Sequence, residues 1–141
     1  MFDRIAWKRN WRKERRGAGL CPDCSNLSAP GNSHCQEHLD KMTARHLRLK
    51  IEAFEAYGGC KCDCPGCNVT NPKFLTIDHK NNDGAEHRKT IGRGAAALYG
   101  WLKKNGYPPG YRVQCFNCNL GRSANQGVCP HEEEAPLPSL V

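Results

Sequence analysis

Cysteine and histidine recur along this 141-residue chain in pairs two residues apart, a spacing that suits transition-metal chemistry. Cys21-Pro-Asp-Cys24 is followed, after a ten-residue gap, by Cys35-Gln-Glu-His38. Each pair forms a tight knuckle that presents two ligands to one tetrahedral centre. A closed four-ligand set leaves no open position, so a zinc ion there serves folding, not catalysis. A second set pairs Cys64-Pro-Gly-Cys67 with Cys115-Phe-Asn-Cys118 about fifty residues on. Cys60, Cys62, Cys129 and His131 are left over and would complete a third set. Two other readings stay open: Cys62 joins Cys67 and leaves Cys64 spare, or Cys60 and Cys62 are free thiols. Two or three structural Zn²⁺ ions are therefore expected.

Between the halves of the second set runs Thr76-Ile77-Asp78-His79-Lys80-Asn81-Asn82-Asp83-Gly84-Ala85-Glu86-His87-Arg88. An imidazole ordinarily titrates near pH 6.5, so one beside a carboxylate can take up a proton at cell pH. His34 and His46 read as non-ligands.

The elements that must position these residues have little apolar material to work with. Only 38% of residues are hydrophobic, mean hydropathy is −0.72, and ten cysteines stand where a core would be. No secretory leader is visible at the N-terminus, and no stretch approaches the ~20 apolar residues of a membrane span. The expectation is a cytoplasmic, non-membrane protein whose cysteines bind metal instead of forming disulfides. The formal charge of +7 is misleading, because ten thiolates remove ten charges and three zincs return six, leaving +3. Distribution matters more than total. Residues 1–16 carry seven basic and two acidic side chains, among them Arg9 and Arg12. That arm either contacts a polyanion or is a solvated leader.

Four regions follow: a basic arm at 1–19, a zinc knuckle with connecting helix at 20–57, a chemical domain at 58–131 and a flexible tail at 132–141. Leu39, Met42, Leu47, Ile51 and Phe54 predict a helix from about Ser33 to Tyr57, stopped by Gly58-Gly59. Its Lys41, Arg45, Arg48 and Lys50 face either phosphate or water. Phe74–Ile77 predicts a strand running into Asp78-His79. Ala95–Asn105 predicts a short helix, Tyr111–Gln114 a second strand, and a last helix begins near Cys118. The fold class is small α+β.

The placement of Asp78-His79 between two CxxC knuckles, with Asn119 directly after Cys118, resembles the HNH, or ββα-metal, endonuclease family. The likeness is to its cysteine-rich bacteriophage branch and covers about residues 57–131; the N-terminal zinc module resembles accessory modules joined to it. The resemblance implies a zinc-stapled, treble-clef-like core of two antiparallel strands and a helix around one catalytic cation. It gives His79 the role of general base, Asp78 that of cation ligand and Asn119 that of second ligand. Oxygen donors favour an exchangeable Mg²⁺ or Mn²⁺. The family's middle asparagine falls at Gly110 here, and Asn81 or Asn82 would have to stand in. His87 and Arg88 are next in line as phosphate contacts or leaving-group stabilisers, although His87 also reads as an exposed loop residue. Arg93 and Arg122 are candidates for backbone-positioning contacts.

The implied activity is divalent-dependent hydrolysis of DNA in phage DNA processing, in the host cytoplasm, with DNA-packaging proteins as partners. Cutting both strands would take a dimer or two successive nicks. The rival is a non-catalytic zinc protein that binds nucleic acid through a decayed core. A protein–protein adaptor fits the basic arm least.

Overall fold

The computed structural model describes residues 2–92 and 94–132. Arg93, a sequence candidate for DNA contact, and all of the expected tail beyond Glu132 lie outside the described residues. The described chain is small α+β: five α-helices and a two-stranded antiparallel sheet. It divides into two compact units, 1–47 and 48–141. Among the described residues no helix is long and apolar enough to cross a membrane.

In the first unit the basic arm is a helix, α1 (Arg4–Gly17). Asp3 caps it by accepting from the backbone N–H groups of Ile5 and Ala6 at 2.9 and 3.0 Å. Trp7 and Trp11 stack one turn apart with centroids 6.2 Å apart, and Arg15 lies 4.8 Å over the Trp11 ring. Arg15 also donates to the carbonyls of Cys21 and Cys24, and Arg12 pairs with Asp23 at 2.7 Å. Two of the arm's cations are thus spent holding the helix against the first cysteine knuckle. That knuckle is a tight reversal, closed by a Leu20–Leu27 bridge and by Cys21 N–H donating to Asn26 O at 2.9 Å.

The long helix α2 (Gln36–Ala56) starts directly after Cys35. Of its apolar stripe only Phe54 is buried, beside the buried Ala53, while Met42 and Leu47 stand about half exposed. The stripe read from the sequence is therefore a core face only over its last turns.

In the second unit β1 (Leu75–His79) pairs with β2 (Tyr111–Cys115), and α5 (Phe116–Ala124) follows β2 without a linker. The register sets Leu75 opposite Cys115, Ile77 opposite Val113, Asp78 opposite Arg112 and His79 opposite Tyr111. β1 continues two residues past the expected Phe74–Ile77, so Asp78 and His79 belong to the strand itself. Two helices fill the connection, α3 (Gly84–Ile91) and α4 (Ala95–Lys104). Phe54, Leu75, Ile77, Tyr99, Leu102 and Val113 form the apolar core together with buried cysteines. Phe54 meets Tyr99 edge to face at 6.2 Å, and Tyr57 donates to Pro108 O at 2.8 Å.

With so few large apolar groups, each carries a large share of stability. Phe54→Ala should cost about 3–5 kcal/mol, whereas Met42→Ala, at a half-exposed position, should stay within about 0.5 kcal/mol. Urea denaturation at fixed zinc concentration reads both.

Candidate functional site

Among the described residues three sets of four donors form, and in each all donor atoms lie within 4.8 Å of one another. The first is Cys21, Cys24, Cys35 and His38, as the spacing predicts. Cys24 Sγ lies 3.5 Å from Cys35 Sγ, and His38 Nδ1 lies 3.6 Å from Cys21 Sγ and 3.2 Å from Cys35 Sγ. Burial alone would raise the Cys21 thiol, but backbone N–H groups and neighbouring sulfurs outweigh it and bring it to about 6. A thiol held that low is ready to act as a metal ligand.

The remaining cysteines regroup relative to the expected pairing. The clamp at the sheet consists of Cys62, Cys67, Cys115 and Cys118, not Cys64, Cys67, Cys115 and Cys118. Cys64 turns instead toward Cys118, Cys129 and His131. Cys60 belongs to none of the three sets. The physical reason is a bend in the chain: alternation in an extended segment would put Cys62 and Cys64 on one face, but the backbone bends at residues 63–64 and turns at 65–66, so the two fall in different sets. Cys62 is fixed by its N–H to Val69 O at 2.9 Å and by accepting from Cys115 N–H at 3.3 Å.

The third set depends on a close approach by the C-terminal segment. A Cβ on Gly66 would lie 2.8 Å from His131 Cβ, and one on Gly121 would lie 2.8 Å from Pro130 Cδ. Arg122, expected at DNA, is committed here: it donates to Gly127 O at 3.0 Å and pairs with Glu132, its side chain only 13% exposed. It braces the turn that carries Cys129. Arg12 is likewise turned to Asp23, while Arg9 lines a basic groove with Arg4, Lys8 and Arg16.

Away from the sulfur, a cavity of about 590 Å³ is lined by Asp78, His79, Asn82, His87, Arg88 and Asn119 among others. These residues come from β1, the loop after it, α3 and α5. His87 is not an exposed loop residue. Its Nδ1 lies 2.9 Å from His79 Nε2 and 3.3 Å from Tyr111 Oη, and its ring stands edge-on to Trp101 at 4.3 Å. If His79 donates from Nε2 to His87 Nδ1, the lone pair of His79 stays on its own Nδ1 and the His87 proton sits on Nε2, a buried atom without a partner among the described residues. His79 Nδ1 faces Gly84, where a Cβ would come to 3.1 Å. Burial pushes the His79 imidazole below its ordinary value, against the opposing pull of Asp83.

Asp78 Oδ2 accepts from Arg112 Nε and Nη2, both at 2.8 Å, in a half-buried cross-strand pair. Sequence reading missed Arg112. Its signal was the register, since aligning Leu75 and Ile77 with Cys115 and Val113 on the core face puts Asp78 opposite it. Gly110, where the resemblance drawn from the sequence leads to an expected asparagine, has φ +102° and accepts from Lys80 N–H at 2.9 Å. A side chain there is disfavoured by the backbone that closes the strand pair. Asn82, not Asn81, reaches the cavity.

The arrangement offers two chemistries. Buried thiolates with imidazole suit a soft or borderline ion such as zinc, while a carboxylate and an amide oxygen facing the same cavity suit a hard one. Compared with known proteins, the chain matches no family model, no curated protein and no solved structure.

The glycine contacts give a direct test of the third set. Gly66→Ala and Gly121→Ala should each destabilise the protein by about 1–3 kcal/mol through overpacking. Gly100→Ala, where a Cβ meets nothing within 4 Å, should not. Thermal melts at saturating zinc compare the three.

Proposed function

We propose that the protein is a metal-dependent HNH-type endonuclease that hydrolyses DNA phosphodiester bonds, with zinc as scaffold. The observation that carries this reading is the convergence of Asp78, His79, His87 and Asn119 on one cavity. The order of elements supports it. Asp78 and His79 end the first strand of a ββα unit, and Asn119 sits in the first turns of its helix. The resemblance to the HNH family drawn from the residue pattern points the same way.

In this reading His79 removes the proton from the attacking water through Nδ1, and donation from its Nε2 to His87 Nδ1 fixes the tautomer that leaves Nδ1 free. Burial favours the neutral form of His79, the one a base requires. Arg88, on the cavity wall, binds the phosphate. Asp78 and Asn119 would hold Mg²⁺ or Mn²⁺, which supplies charge neutralisation at the leaving oxygen when bound. Arg4, Lys8, Arg9 and Arg16 would follow the DNA backbone. Phage DNA processing, with packaging proteins as partners, is the setting the family likeness suggests.

One observation favours a second reading. Arg112 already neutralises Asp78, as it would in a core that has given up its cation and only binds nucleic acid. Nicking of supercoiled plasmid in Mg²⁺ or Mn²⁺, with and without chelator, separates the two. Wild type should nick, and His79→Ala should lower the rate by about 10²–10⁴. His87→Ala should lower it by up to about 10², because it misplaces the base without removing it. DNA binding without nicking in any divalent ion would establish the second reading.

The pH profile carries its own sign. Since burial lowers the imidazole of His79 from its ordinary 6.5, the acid limb of the rate should be centred below 6.5. An acid limb centred at or above 6.5 would remove His79 from the role of base.

A further inference from the structure

The second and third donor sets share Cys118. Cys62, Cys67, Cys115 and Cys118 make one tetrahedron, and Cys64, Cys118, Cys129 and His131 make the other. A zinc tetrahedron with Zn–S near 2.3 Å has sulfur–sulfur edges of about 3.8 Å and sulfur–nitrogen edges of about 3.6 Å. The edges present fall close to these. Cys67–Cys115 is 3.7 Å, Cys64–Cys129 is 3.3 Å, and His131 Nδ1 lies 3.7, 3.4 and 3.5 Å from Cys64, Cys118 and Cys129.

We propose that the second unit binds a two-metal cluster in which the Cys118 thiolate bridges both zinc ions. Two features support a bridge over a competition for one sulfur. Without sharing, one ion would keep only three protein ligands, and the leftover thiol, Cys60, stands in neither set to supply a fourth. Charge points the same way. A bridged pair takes six thiolates against two dications, a net of −2, whereas two separate complete sites would need a seventh thiolate and leave −3. Less uncompensated charge in a buried centre means a smaller desolvation cost. No electrons are exchanged: each of the six thiols loses its proton to solvent as the metal–sulfur bonds form.

The bridge stands or falls without reference to DNA cleavage, since neither His79 nor the cavity enters it. The test is ¹¹³Cd NMR and native mass spectrometry on the full chain reconstituted with ¹¹³Cd²⁺. Three ions per chain are expected, with two of the three resonances split by coupling through the shared sulfur. Cys60→Ser should keep three ions and the coupling. Cys64→Ser should abolish the coupling while the Cys62-Cys67-Cys115-Cys118 ion remains. Two ions per wild-type chain, three resonances with no coupling, or loss of an ion in Cys60→Ser would each overturn the bridge. Because the wild-type measurement decides the matter, a variant that fails to fold does not weaken the test.

Discussion

The buried centre of the second unit is filled with sulfur, and the rest of the unit depends on how that sulfur is neutralised. Cys62, Cys64, Cys115, Cys118 and Cys129 are all buried, with Cys67 partly so; Cys64 and Cys129 Sγ approach to 3.3 Å, and Cys67 and Cys115 Sγ to 3.7 Å. Two unit charges 4 Å apart repel by about 4 kcal/mol at an effective dielectric of 20. The thiols therefore resist ionising together in the absence of a cation, and as neutral groups they offer only weak mutual hydrogen bonds. With metal bound, the same crowding becomes a set of strong bonds, so metal affinity and folding free energy are one quantity here. Phe54, Leu75, Leu102 and Val113 supply an apolar layer, but it covers one side of a two-stranded sheet, and a sheet that small is marginal without a further anchor.

That anchor also aims the chemistry. Cys115 is the last residue of β2 and accepts from Cys118 N–H at 3.3 Å, so the sulfur both caps α5 and holds the strand to the helix. Asn119 follows Cys118 directly, and its direction into the cavity is set by where the sulfur is fixed. On the sheet, the pairing of Leu75 with Cys115 brings Asp78 against Arg112 and His79 against Tyr111. Slippage by one residue would turn Asp78 and Arg112 into the apolar layer and expose Ile77 and Val113. The metal donors thus fix the register, and the register fixes the site.

How much of this could be read from the chain follows from how local each signal is. The first donor set was legible in full because its four residues lie within eighteen positions and the knuckle is closed by its own backbone. β1, β2, α4 and α5 were legible to within a few residues from β-branched runs and from Gly and Pro stops. The partition of Cys60, Cys62 and Cys64 was not. Spacing says that each can be a ligand, but only the path of residues 129–132 over Gly66 and Gly121 decides which centre each serves. α3 was missed for a similar reason. Its residues, Gly84–Ile91, bury nothing fully, and what holds the helix is His87 lodged among His79, Tyr111 and Trp101, contacts made across the fold. Arg12 and Arg122 show the limit of charge counting: both looked available to phosphate, and both are tied to carboxylates.

The two kinds of metal position differ in a way that bears on exchange. The thiolate sets are soft and largely buried, and four ligands each leave no open position, so ions bound there should be held for the life of the fold. The cavity has one carboxylate to attract a hard cation, and Arg112 already lies 2.8 Å from that carboxylate. A like charge so close weakens cation binding there, since the attraction of Asp78 is partly spent before the ion arrives. Under the proposed function bound DNA would change the balance, because a scissile phosphate entering beside Arg88 would add negative charge and oxygen donors to the same cavity. Under the proposed function, then, the catalytic ion binds weakly in the free protein and more tightly together with substrate. That separates a permanent scaffold from a cation recruited when there is phosphate to cut.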